Sequence, residues 1–116
     1  MDKKKLGKTG EILALSFLKN LGYTILERNY RTKCGEIDII ARDKNEIAFI
    51  EVKTRSSDIF GLPQEAVNRK KISKIEKTSI IYLEKNKIST STPIRYEVLS
   101  IIKNNNNCIF KIIPIE

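Results

Sequence analysis

The apolar positions of this chain change their period several times, and each change marks an element. From Thr9 to Leu21 the run TGEILALSFLKNL carries Leu13, Ala14, Phe17, Leu18 and Leu21 at intervals of three and four, the spacing of one helix face. Thr9 is a suitable N-cap and Gly22 a C-terminal stop. Residues 23–30, YTILERNY, alternate as a strand does, and RTKCG then turns the chain. Residues 36–42 and 47–53 are two further β-rich runs, which an antiparallel hairpin would join. Pro63 stands where a first helical residue belongs, so a second helix is expected from Pro63 to Glu84. Residues 94–102, IRYEVLSII, and 108–113, CIFKII, read as two last strands joined by the loop from Asn104 to Asn107.

The element order is therefore α-β-β-β-α-β-β. It predicts an α/β protein of the α+β kind, one domain over residues 1–116 with a central mixed sheet flanked by helices. The long helix would carry the chain across the sheet between the third and fourth strands.

The hairpin raises a question of charge. A turn centred on Lys44 and Asn45 sets paired positions to sum to 89, placing Asp43 against Glu46, Ile40 against Phe49, Asp38 against Glu51 and Glu36 against Lys53. Residues 36, 38, 51 and 53 then share one face, while Ile37, Ile39, Ile50 and Val52 share the other. Opposed carboxylates roughly 5 Å apart destabilise a pairing unless a positive charge lies between them. In a partly buried setting one of the two would be driven toward neutrality, or both would hold a hard divalent cation. On an exposed face, by contrast, Glu36 and Lys53 would be an ordinary cross-strand ion pair.

Composition narrows the chemistry. The chain has 116 residues, enough for one core without a metal or disulfide staple. It has no histidine, which excludes imidazole-based triads, His-ligated zinc sites and nucleases with a His base. Cys34 and Cys108 are not at metal-ligand spacing and suit reduced thiols. The N-terminus MDKKKLGKTG is followed by no apolar stretch of signal-peptide or transmembrane length, so the cytoplasm is the expected location and no membrane the expected partner.

Twenty-two Lys and Arg against fourteen Asp and Glu give a formal net charge of +8, which points to a polyanion. The same excess would follow from the Lys-, Ile- and Asn-rich usage of an AT-rich genome unless the charges are arranged. They are: on the long helix Lys70, Lys74 and Lys77 fall at i, i+4 and i+7, opposite Ile72, Ile75, Tyr82 and Leu83. Lys71 borders that stripe and Arg55 follows the third strand. A stripe of this kind suits phosphate contacts that ignore sequence; a merely solvated lysine face has the same pattern. Tyr30 and Tyr96 could stack on bases, but ordinary strand residues have the same spacing.

Asp38 followed thirteen positions later by Glu51-Val52-Lys53 resembles the Asp…Glu-x-Lys signature of restriction-endonuclease-like (PD-(D/E)xK) nucleases, with a spacing similar to that of archaeal Holliday-junction resolvases. More closely, the whole chain resembles the uncharacterised bacterial YraN family. The matching pieces are GKTGEILALSFLKNLGY, ERNYRTKCGEIDIIARD, FIEVKTR, FGLPQEAV and RYEV, which span residues 7–98. The late strand reads Arg95-Tyr96-Glu97-Val98 where that family more usually has Arg-Phe-Asp-Val.

The resemblance implies a four-stranded mixed sheet core and a metal-dependent phosphodiester-cleaving site on the hairpin. Asp38 and Glu51 would hold Mg²⁺ or Mn²⁺, and Lys53 would stand beside the attacking water. Glu11 matches the acidic residue of the first helix that approaches such sites; taken alone, it also reads as a first-turn carboxylate favoured by the helix dipole. Glu36 would support the ligands from behind or pair with Lys53, and Gln64 stands where some relatives of the superfamily place a helix glutamine near the metal. Arg55, Lys70, Lys71, Lys74 and Lys77 would contact nucleic acid. The function expected is an endonuclease, a hydrolase acting on structured or branched DNA. A non-catalytic nucleic-acid-binding module and a protein-interaction scaffold are the rivals, and a homodimer through a sheet edge is left open.

Overall fold

The computed structural model describes residues 3–56, 68–105 and 107–115, with residues 3–8 as backbone alone. Helix α1 spans Lys3–Asn20, followed by strands β1 Thr24–Thr32, β2 Gly35–Asp43 and β3 Glu46–Arg55; then come helix α2 Arg69–Lys85 and strands β4 Ile94–Asn104 and β5 Asn107–Pro114. The five strands form one sheet in the order β1-β2-β3-β4-β5. Pairing is antiparallel throughout except between β3 and β4, which run parallel, as a helical crossover between them requires. The mixed α+β fold and the element order expected from the apolar pattern are both present, with a fifth strand added to the four of the implied core.

The two helices cover opposite faces of the sheet. Ala14 and Leu18 of α1 pack with Ile39, Ala41, Ala48, Ile50, Leu99 and Ile101. On the other face Ile75 and Tyr82 of α2 pack with Ile37, Ile40, Ile47, Phe49 and Val98. Tyr30 and Tyr96 are strand residues of this second core: Tyr30 meets Tyr82 edge-on at 5.3 Å, and Tyr96 stacks on Phe49 at 5.6 Å.

Helix boundaries differ from expectation at both N-termini. Thr9 is not a cap, because α1 already begins at Lys3; the polar residues ahead of Thr9 are good enough helix formers to extend it by nearly two turns. At its other end Gly22, with φ of +97°, closes a Schellman motif. Tyr23 N donates to Leu18 O at 2.9 Å and Gly22 N to Lys19 O at 3.0 Å. Helix α2 does not run through from Pro63. Asn68 has an extended backbone and accepts from Lys71 N, so it is the N-cap; residues 57–67, Pro63 included, lie outside the described residues.

Close approach of α1 to the sheet depends on Gly10, where a Cβ would overlap Thr54 Oγ1. This contact brings the middle of α1 over the C-terminal half of β3, the half that carries the Glu-x-Lys residues. None of the described helices is long and apolar enough to cross a membrane.

Candidate functional site

Strands β2 and β3 hold the expected register over five pairs, from Asp43 with Glu46 to Ile39 with Ile50. There the ladder ends. Asp38 and Glu51 are not a ladder pair, and neither are Glu36 and Lys53, which corrects the symmetric pairing expected from the turn. Beyond Ile50, β3 stays with β4 as far as the pair Arg55 and Ile102, while β2 stays with β1 as far as Gly35 and Thr32. The two strands fork.

The fork has a local cause in β2. Ile37 packs on the α2 face and Ile39 on the α1 face, although residues two apart in a regular strand point the same way. The irregularity therefore falls at Asp38. Across from it Asn29 adopts φ of +51°, a conformation Asn tolerates better than most residues, between the pairs Arg28–Ile39 and Tyr30–Ile37. Asp38 is left in the mouth of the fork, where its Oδ2 accepts a hydrogen bond from Val52 N at 2.8 Å. A side chain thus replaces the backbone carbonyl that a continuing ladder would have offered.

The charges that converge here come from four elements. Glu51, with 7% of its side chain exposed, lies 2.6 Å from Lys71 Nζ and 3.7 Å from Lys53 Nζ through Oε1. Burial pushes the Asp38 carboxyl up to about 7, with the negative charge of Glu51 next in importance. The Val52 hydrogen bond opposes this, and Glu11 and Glu36 add to it. Lys53 is held below the usual lysine range by burial and by the neighbouring Lys71. For Lys71 burial acts in the same direction, but the hydrogen bond and charge of Glu51 outweigh it and raise its pKa.

Glu11 stands near the middle of α1, whose first turn holds no acidic residue, so the helix-dipole reading of Glu11 is overturned. Its charge acts on Asp38 from the α1 side. Glu36 does not pair with Lys53; it forms an exposed ion pair with Arg31 across β1 and β2 at 2.8 Å, worth little by itself. Gln64 lies outside the described residues.

Beside the fork is a groove of about 390 Å³ lined by Gly35, Glu36, Asn68, Lys70, Lys71, Lys74 and Ile75. Lys70 and Lys74 thus share a surface as their spacing predicted, at the capped N-terminal end of α2. Lys77 is exposed further along the helix, outside the groove lining. Arg55 ends β3 and is half-buried.

Lys71 lines the groove beside the expected stripe, but its ammonium is engaged with Glu51, a contact the sequence reading did not include. The signal was present. Lys71, Ile75, Thr78 and Tyr82 recur at four, three and four residues, so Lys71 begins the buried face of α2. Also missed was a second charged cluster, on the α1 face at the opposite end of the sheet. Arg95 meets Asp43, Glu46 and Glu97 at 2.9, 2.9 and 3.1 Å, and the Tyr23 hydroxyl at 2.6 Å. It ties the Schellman turn to the β2–β3 turn and to β4.

The donors at the fork suit a hard cation. Among the described residues no group of three or more His, Cys, Asp and Glu is arranged as a ligand set. An ion here would rest on Asp38 and Glu51, water and the oxygens of a bound phosphate, the manner in which Mg²⁺ is ordinarily held. The pressure that Glu51 puts on Asp38 is what such a charge would relieve.

Fold and site together define a small α+β domain with a mixed five-stranded sheet that forks around a buried carboxylate and a lysine pair. The chain belongs to the uncharacterised protein family UPF0102, whose model matches residues 10–101. It is 50% identical over 109 residues to a UPF0102 protein of Clostridium botulinum strain Hall, covering 94% of this chain and 89% of that one. It is 47% identical over 102 residues to a UPF0102 protein of Geotalea daltonii, covering 88% and 80%. Asp38, Glu51 and Lys53 all lie inside the family match.

Proposed function

We propose that this protein is a divalent-cation-dependent endonuclease of the cytoplasm that acts on structured or branched DNA. The observation that carries this reading is the fork: two carboxylates and a lysine of lowered pKa converge where the sheet opens, next to a groove lined by lysines. A structural ion pair needs no second buried carboxylate, and a solvated hairpin would not raise Asp38.

Mg²⁺ or Mn²⁺ bound by Asp38 and Glu51 would supply Lewis acidity at the phosphate and an acidified water. Lys53 in its neutral form would accept a hydrogen bond from the attacking water and take its proton, a role toward which its lowered pKa works. Val52 N holds Asp38 in one orientation, so this carboxylate does not have to be ordered on binding. Lys70 and Lys74 hold the phosphate backbone along the groove without reading its bases.

The test is incubation of the protein with duplex, single-stranded, flap and four-way-junction DNA and with structured RNA, in Mg²⁺ or Mn²⁺, beside Asp38→Ala and Lys53→Ala. Cleavage of a DNA substrate that both substitutions abolish is the expected result. Binding of every substrate without cleavage of any would replace the enzyme by a nucleic-acid-binding module.

A further inference from the structure

Lys71 belongs to both halves of the site. It lines the basic groove with Lys70 and Lys74, yet its Nζ lies 2.6 Å from Glu51 Oε1 at the fork. Its side chain is 38% exposed while that of Glu51 is 7% exposed, so the ammonium plugs the fork from the groove side. A lysine anchored on the first turn of α2, beyond the Asn68 cap, can swing its four-carbon stem without disturbing the helix.

We propose that Lys71 is a resident cation which a divalent ion displaces, and that its release into the groove couples cation binding to phosphate binding. This inference rests on the metal reading of Asp38 and Glu51. Glu51 Oε1 has one ammonium at hydrogen-bonding distance and a second, Lys53, at 3.7 Å. A divalent ion on the same oxygen cannot share it with Lys71 at 2.6 Å without charge repulsion at close range. Among the described residues the carboxylate of the groove lining, Glu36, is already paired with Arg31, so a phosphate in the groove is the anion that the displaced ammonium would meet. Each ligand therefore removes a cost that opposes the other, and the coupling is reciprocal. The chemical class that fills the groove is a phosphodiester backbone, which offers repeated anionic oxygens to Lys70, Lys71 and Lys74 together.

The experiment is titration of Mn²⁺ by calorimetry into the wild type, Lys71→Met, Lys74→Met and Asp38→Ala, followed by binding of a phosphorothioate duplex with and without Mn²⁺. Lys71→Met is expected to bind Mn²⁺ about tenfold tighter than the wild type, within the usual range of coupling between sites. Lys74→Met, which removes an equal charge from the same groove, should leave Mn²⁺ affinity within about twofold, because that charge is exposed and screened. Mn²⁺ should strengthen duplex binding by the wild type severalfold more than binding by Lys71→Met, which keeps only the direct contact of ion and phosphate.

Mn²⁺ binding that Asp38→Ala removes, but that Lys71→Met leaves equal or weaker, overturns the displacement while the metal reading stands. Equal tightening by Lys71→Met and Lys74→Met overturns it as well, since the effect is then general electrostatics. Absence of any Mn²⁺ binding that depends on Asp38 removes the metal reading and this proposal together.

Discussion

Replacing Asp38 by Asn removes one titrating group from the fork and almost no volume, and the amide oxygen can still accept from Val52 N. In the wild type that carboxyl is pushed from an ordinary 3.8 up to about 7, by burial first and then by Glu51. A raised acid favours the folded state only while protonated. Below about pH 4 the folded and unfolded chains bind the same proton and nothing is lost; between 3.8 and about 7 the folded chain holds a proton the unfolded chain has released, so stability falls as pH rises. Above about 7 the loss is complete. At 1.36 kcal/mol for each tenfold change, the ceiling of this loss is about 4 kcal/mol, and sharing of the proton with Glu51 lowers the realised value. Urea unfolding of both proteins at pH 5 and pH 8, in EDTA, measures it. Asp38→Asn should gain on the wild type by about 2 kcal/mol between the two pH values. A stability difference that stays constant from pH 5 to pH 8 would refute the claim that burial and Glu51 hold Asp38 protonated.

Gly10→Ala should destabilise the fold by about 2 kcal/mol, as overpacking does, because the new methyl meets Thr54 Oγ1; a melting temperature equal to the wild type would show that α1 can move away from β3. Arg95→Met should cost about 3 kcal/mol in urea unfolding, since it strands Glu97, whose side chain is 9% exposed, without its cation. Adding Glu97→Leu to it should restore most of that loss, and a double variant as unstable as the single would assign the effect to Tyr23 or the turn instead. Lys70→Gln and Lys74→Gln should each lower the slope of log affinity for duplex DNA against log salt by about one, and unchanged slopes in both would remove the groove as a phosphate site. Lys53→Met should lose cleavage by at least about a hundredfold with the melting temperature unchanged, and retained cleavage would move the proton transfer elsewhere.

The elements were legible along the chain because strands and helices carry different apolar periods, although β2 breaks its period at Asp38, where Ile37 and Ile39 enter opposite cores. The alternation in β3 put Ile47 and Phe49 on one side and Ala48 and Ile50 on the other, and the structure agrees. The two-residue turn at Lys44 and Asn45 likewise set five pairs of the hairpin correctly. The extra turns of α1 were not legible, since LysLysLys followed by LeuGlyLysThr has no apolar period. The Asn68 cap was hidden by a proline that looked like an earlier start.

Element order, the register of the hairpin near its turn and the residue types available for chemistry, carboxylates and lysines with no imidazole, can all be read along the chain. Those follow from local periodicity and from composition, which need no knowledge of distant neighbours. The opening of the hairpin at Asp38 is a tertiary outcome: Ile37 and Ile39 pack into opposite cores, which turns β2 away from β3 while each strand keeps its outer partner. The same holds for Lys71, placed against Glu51 by the docking of α2 on the sheet. Pairing rules extrapolate from a turn only while both strands stay regular. At Asp38 β2 does not, and the gap it leaves beside β3 holds the candidate site.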